Sequence, residues 1–135
     1  MWTCPKCDRR FNRDNQSHYC TTKSIDDLFK GKPDDLILAF DQVLLQVYEF
    51  GEITVGASVN TVVFTNKKAF LIIRPMSKLI DIKFYSYLEF KSPKIHKSGP
   101  WGSKYYYHIR IADESQIDDE VVGLLKKGYD YGMTS

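Results

Sequence analysis

Beyond residue 20 the chain has no cysteine, and its three cysteines, Cys4, Cys7 and Cys20, all crowd the front. An odd number excludes a fully paired disulfide framework. No apolar run approaches the ~18 residues that a membrane-spanning helix needs. A secretory signal is missing too: residues 2–20 are polar and basic, with no apolar centre. The expectation is a soluble, cytoplasmic protein. There is no phosphate-binding glycine loop, no Ser/His/Asp arrangement in recognisable local context and no paired-carboxylate motif. Asp113, Glu114, Asp118, Asp119 and Glu120 do cluster, but at a helix start, where the helix dipole accounts for them without catalysis. Internal repeats and low-complexity tracts are absent.

What is present bounds the architecture. A chain of 135 residues suffices for one compact domain and a small appendage. The formal net charge of +2 hides a strong segregation. Residues 67–110 carry ten basic and two acidic side chains, whereas residues 24–66 carry two and seven, and residues 111–135 two and six. A basic middle between acidic flanks fits an anionic partner, and it equally fits lysines that only solubilise strands and loops.

The front of the chain reads as a metal site. Cys4 and Cys7 are separated by a Pro-Lys turn, and His18 and Cys20 follow after ten residues. Cys-x-x-Cys is a common half-site for tetrahedral zinc, because the short turn lets both thiolates reach one ion. Thiolate-rich donors favour zinc over magnesium or calcium. About twenty residues bury too little apolar surface to order themselves. Zinc contributes an apparent ~10–16 kcal/mol in such peptides near neutral pH. Trp2, Phe11 and Tyr19 would cover the metal side. A redox pair would need a βαβ context, which is missing. A catalytic zinc would need an open position, which four protein ligands deny it. The zinc-deaminase His-x-Glu is also absent, since Tyr19 and Cys20 follow His18. Arg9, Arg10, Arg13, Lys6 and Lys23 make the module basic, but its ligand spacing differs from that of the DNA-reading zinc finger. The expected division is a zinc-binding module over residues 1–23 and an α+β domain over residues 24–135.

In that domain Ser24 reads as a helix cap, and the short helix it opens should end near Gly31. A second helix starts at Pro33 with Asp34 and Asp35 in its first turn. Leu36, Phe40, Val43, Leu44 and Val47 form its apolar stripe, and Gly51 ends it. From Ile53 the period changes to two. Residues 61–65, 69–74, 79–85 and 105–111 read as strands, and the short turns between the first three require antiparallel pairing. Ser115 is the expected cap of a last helix, with Asp118 as its capping-box partner. The fold class is α+β: an antiparallel sheet of about four strands, one face covered by N- and C-terminal helices. Residues 92–103, SPKIHKSGPWGS, read as a long polar loop.

The alternation also predicts what the second sheet face carries. Lys83, Tyr85, Tyr106, His108 and Arg110 share it, with Trp101 and His96 near its rim. Cations mixed with rings on an open sheet stack bases and neutralise phosphates. An ordinary solvated sheet face shows the same alternation.

Two stretches carry a family resemblance. WTCPKCDRRFNRDNQSHYC looks like the zinc-binding leader of an uncharacterised bacterial family, and HKSGPWGSKYYYHIRIADESQIDDEVVGLLKKGY resembles that family's core, domain of unknown function 5655. FLIIRPMSKLIDIKF resembles its middle strands. The resemblance implies an α+β domain behind a zinc-ligand cluster, with Cys4, Cys7, His18 and Cys20 in the matching positions, and it implies no reaction. Related domains accompany nuclease-like or DNA-associated modules in larger proteins, an association and not a mechanism.

Three functions are therefore in play. The first is a zinc-stabilised binding or interaction module of unknown ligand. The second is a nucleic-acid-binding protein that uses the basic aromatic face and the segment from Arg9 to Arg13. The third is an enzyme with its site around Tyr106, His108 and Arg110.

Overall fold

The computed structural model describes residues 2–3, 10–11 and 25–134. Two short strands, β1 (Trp2–Thr3) and β2 (Arg10–Phe11), pair antiparallel, with Trp2 opposite Phe11 and Thr3 opposite Arg10. Two helices follow, α1 (Ile25–Phe29) and α2 (Asp34–Phe50). Six strands then form one sheet: β3 (Thr54–Ala57), β4 (Val62–Thr65), β5 (Ala69–Pro75), β6 (Ile80–Ser86), β7 (Ile95–Trp101) and β8 (Lys104–Ile111). A 3-10 turn (Glu114–Gln116) leads into α3 (Asp119–Met133). The expected boundary between residues 23 and 24 lies outside the described residues.

The sheet has order β3-β4-β5-β6-β8-β7, and every neighbouring pair is antiparallel. The expectation of about four strands is corrected to six. Strand β3 is short, and its glycine and alanine weaken the alternation signal. Strand β7 lies in the stretch expected to be a loop. It is an edge strand, half of whose hydrogen-bonding groups face solvent, so Pro100 and Gly99 are tolerated there. Its residues are exposed or half-buried, and no hydrophobic alternation marks it.

Strands β6 and β7 both run antiparallel to β8, which lies between them, so they point the same way. Residues 87–94 must therefore return along the sheet before β7 begins. They do so over the buried face. Phe90 stacks on Tyr107 at 4.3 Å between ring centres, and Tyr107 in turn stacks on Phe84 at 5.2 Å. The Tyr107 hydroxyl donates to the Leu88 carbonyl (2.8 Å) and accepts from the Phe90 N–H (3.2 Å). Burial pushes this phenol above its ordinary range.

Both long helices pack on that same face. The α2 stripe buries Leu36, Ala39, Phe40, Val43 and Val47, with Leu44 half-buried. Phe40 meets Phe64 edge-on at 6.2 Å. Gly51 ends the helix at φ 151°, and the Tyr129 hydroxyl occupies the space a β-carbon would need there. Helix α3 approaches the sheet closely through Gly128 and Gly132, one turn apart. A β-carbon at Gly128 would come within 3.0 Å of Phe84 Cβ, and one at Gly132 would strike Asn66 and Phe70. The expected Ser115 cap is also corrected. Asp113 caps the 3-10 turn together with Gln116, the chain breaks helical geometry at Ile117, and Asp118 caps α3 by accepting from the Val121 N–H at 3.0 Å. No helix among the described residues is long and apolar enough to cross a membrane.

Candidate functional site

The face away from the helices is set by strand pairing. In β6, Ile80, Ile82, Phe84 and Ser86 are buried, so Asp81, Lys83 and Tyr85 point outward. In β8, Tyr107, Ile109 and Ile111 are buried, so Tyr106, His108 and Arg110 share the outer face. Register places Asp81 opposite Arg110, Lys83 opposite His108 and Tyr85 opposite Tyr106. Strand β7 adds Lys97 opposite His108, Gly99 opposite Tyr106 and Trp101 opposite Lys104. Strand β5 adds Ile72 and Arg74, opposite Lys83 and Asp81. Lys83, Tyr85, Trp101, Tyr106, His108 and Arg110 are thus brought to one surface. His96 falls at the register irregularity between Ile95 and Lys97.

Lys83 is the centre of this surface. Its Nζ lies 5.2 Å from the Tyr85 ring centre and 5.9 Å from both the Trp101 and Tyr106 ring centres. Each such contact contributes roughly 0.5–1 kcal/mol at an exposed site. The Tyr106 ring lies across Gly99, close enough that a β-carbon there would be 2.8 Å from its hydroxyl. Trp101 is 61% exposed, an unusual state for an indole that something does not cover.

Charge on this face is one-sided. Across the six strands Asp81 is the single carboxylate, against Arg74, Lys83, Lys97, Lys104 and Arg110. Asp81 is itself engaged. Its Oδ2 lies 2.8 Å from His108 Nδ1, and its Oδ1 lies 3.5 Å from Arg110 Nε. The lysines of this face therefore have no carboxylate partner in the sheet.

Sequence reading missed Asp81, Lys97 and Lys104. Asp81 was legible from the same alternation that selected Lys83. Lys104 continues the period-two set Tyr106, His108, Arg110 by one step. Lys97 became legible only once β7 was a strand.

Cys4, Cys7, His18 and Cys20 lie outside the described residues. Among the described residues no group of three or more His, Cys, Asp or Glu side chains is placed to hold a metal ion.

Residues 25–132 match the family described as Domain of unknown function (DUF5655). No curated protein and no solved structure matches the chain.

Proposed function

We propose that this chain, which belongs to the DUF5655 family, is a binding module whose outer sheet face takes single-stranded nucleic acid. The observation that supports this most is the Lys83 ammonium among three rings, one of them the exposed Trp101, on a strand set with one carboxylate. An exposed ring gives any base a π-face to stack on, and neighbouring ammonium groups neutralise the phosphates between bases. The sheet is open, so several nucleotides can lie across it.

The test is fluorescence anisotropy with a labelled single-stranded oligonucleotide over a range of salt. Trp101→Ala should weaken binding by about 5- to 100-fold, the usual effect of losing one stacked base. Lys83→Met should weaken it across sequences and reduce the salt slope by about one. An affinity indifferent to both salt and Trp101 would remove the proposal.

A structural zinc ion on Cys4, Cys7, His18 and Cys20 belongs to the same reading. Three thiolates and an imidazole make a closed, tetrahedral set with no position for water, so the ion would order the front of the chain and catalyse nothing. The pairing of β1 with β2 supports it, because it holds together the chain on either side of the Cys4–Cys7 segment. The purified protein should contain about one zinc per chain, and Cys7→Ser should lose it. Metal-free protein whose amide spectrum matches that of the untreated material would end this part of the reading.

A further inference from the structure

At one end of the sheet the β4–β5 turn, the end of β6 and the start of β8 meet the last turns of α3. Four side chains converge there: Lys68, Tyr87, Lys104 and Tyr131. The Lys68 ammonium sits over the Tyr131 ring, 4.1 Å from its centre, and donates to the Tyr87 hydroxyl at 3.1 Å. The Lys104 ammonium donates to the Tyr131 hydroxyl at 2.8 Å. Its distance of 5.3 Å from the Tyr131 ring centre therefore reflects the hydroxyl end of the ring and not its face. Lys104 also lies 4.9 Å from the centre of the Tyr85 ring, which ties this cluster to the outer face.

Both lysines are thus held by phenols, and neither has a carboxylate partner among the described residues. Two ammonium groups near one ring, without a counter-charge, repel each other, and an anion between them removes that cost. The phenols add donors. Each hydroxyl accepts from an ammonium group; that of Tyr131 keeps its proton to donate outward, while that of Tyr87 also bonds the Thr134 side chain. The Tyr87 hydroxyl is held below its ordinary range, first by the bond from Lys68 and then by Thr134, as expected of a phenol in a cationic setting.

We propose that Lys68, Lys104, Tyr87 and Tyr131 form a subsite for a terminal phosphate group, the phosphomonoester end of the strand lying on the adjacent face. The site supplies several donors and at least two positive charges. That suits a doubly charged terminal phosphate better than an internal, singly charged phosphodiester. This rests on the nucleic-acid reading of the outer face, and its test separates the two.

Oligonucleotides of one sequence are compared with a 5′-phosphate, a 3′-phosphate and neither. One phosphorylated form should bind about tenfold more tightly than the bare strand, as hydrogen bonds to a charged group allow. Lys68→Met, in the β4–β5 turn outside the strands of the outer face, should lose most of that advantage while binding the bare strand nearly as before, and the Lys68→Met/Lys104→Met double variant should lose the rest. Tyr87→Phe, which keeps the ring, should lose part of it. Equal affinity for all three oligonucleotides overturns the subsite and leaves the outer face intact. If no oligonucleotide binds, the outer-face reading fails by itself, and inorganic phosphate decides the subsite. Shifts of the Tyr87 and Tyr131 ring resonances on adding phosphate, absent in the double variant, would uphold it, and unmoved resonances would overturn it.

Discussion

Asp81 and His108 are not register partners, yet their side chains meet on the outer face, Oδ2 to Nδ1 at 2.8 Å. They are diagonal neighbours on adjacent strands, close enough for two side chains to meet. Arg110, the direct partner of Asp81, is left with a longer 3.5 Å contact. The one carboxylate of the sheet is therefore shared between an imidazole and a guanidinium, and it holds the imidazole in one orientation.

From this follows the expected behaviour of Asp81→Asn. The substitution removes the only negative charge of the strands and frees Arg110. Binding of a single strand should tighten, by about two- to tenfold at low salt, and the gain should shrink as salt rises. Anisotropy titrations at two salt concentrations check this. Weaker binding would show instead that Asp81 matters by positioning His108.

Gly99 tests the ring arrangement. Any side chain there must displace the Tyr106 ring that lies across it. Gly99→Val should leave the fold intact, since edge strands favour β-branched residues, but it should weaken strand binding several-fold. Unchanged affinity, with Tyr106 visibly moved in the ring spectrum, would exclude that ring from the binding surface.

The crossover depends on Tyr107. Removing its hydroxyl leaves the Leu88 carbonyl and the Phe90 N–H without their partner, and Tyr107→Phe should cost about 1–3 kcal/mol. Urea unfolding gives the magnitude. Hydrogen exchange should accelerate most at Phe90, and a uniform change across the domain would argue against a local anchor.

The Lys94–Asp118 pair, 2.8 Å apart, ties the end of the crossover to the start of α3. The Asp118 carboxyl is held below its ordinary range, first by the Lys94 ammonium and then by the Val121 N–H. Lys94 is held above its own range, mainly by Asp118. The carboxyl therefore contributes stability above its unfolded value of about 4, and that contribution is lost as pH falls through the depressed one. The lysine contributes below its unfolded value of about 10.4, and that is lost as pH rises through the raised one. The pair is exposed and its effect is small. Lys94→Met should lower the thermal midpoint by about a degree or two near pH 7 and by nothing near pH 2. A deficit that persists at pH 2 would locate the effect elsewhere.

How much of this was legible beforehand differs by element. The α2 stripe and the β6 and β8 alternations declared themselves, because each spans enough residues for its period to show. Edge strand β7 did not: its Gly99, Pro100 and exposed Lys97 satisfy only one neighbour and bury little, so they leave no pattern. The cap of α3 was misassigned by three residues because Ser115 and Asp118 are both good caps, and the kink at Ile117 decides between them.

By itself the chain determined which side chains face away from the core, since period-two alternation in strands is a local property of the backbone. It also determined the excess of cations in its middle. Only the tertiary structure decided that Lys83 sits among Tyr85, Trp101 and Tyr106, that Asp81 is spent on His108, and that Lys68 meets Lys104 around Tyr131. Those meetings depend on strand order and register, with β8 inserted between β6 and β7, and long-range pairing of that kind leaves no trace in any short window of sequence.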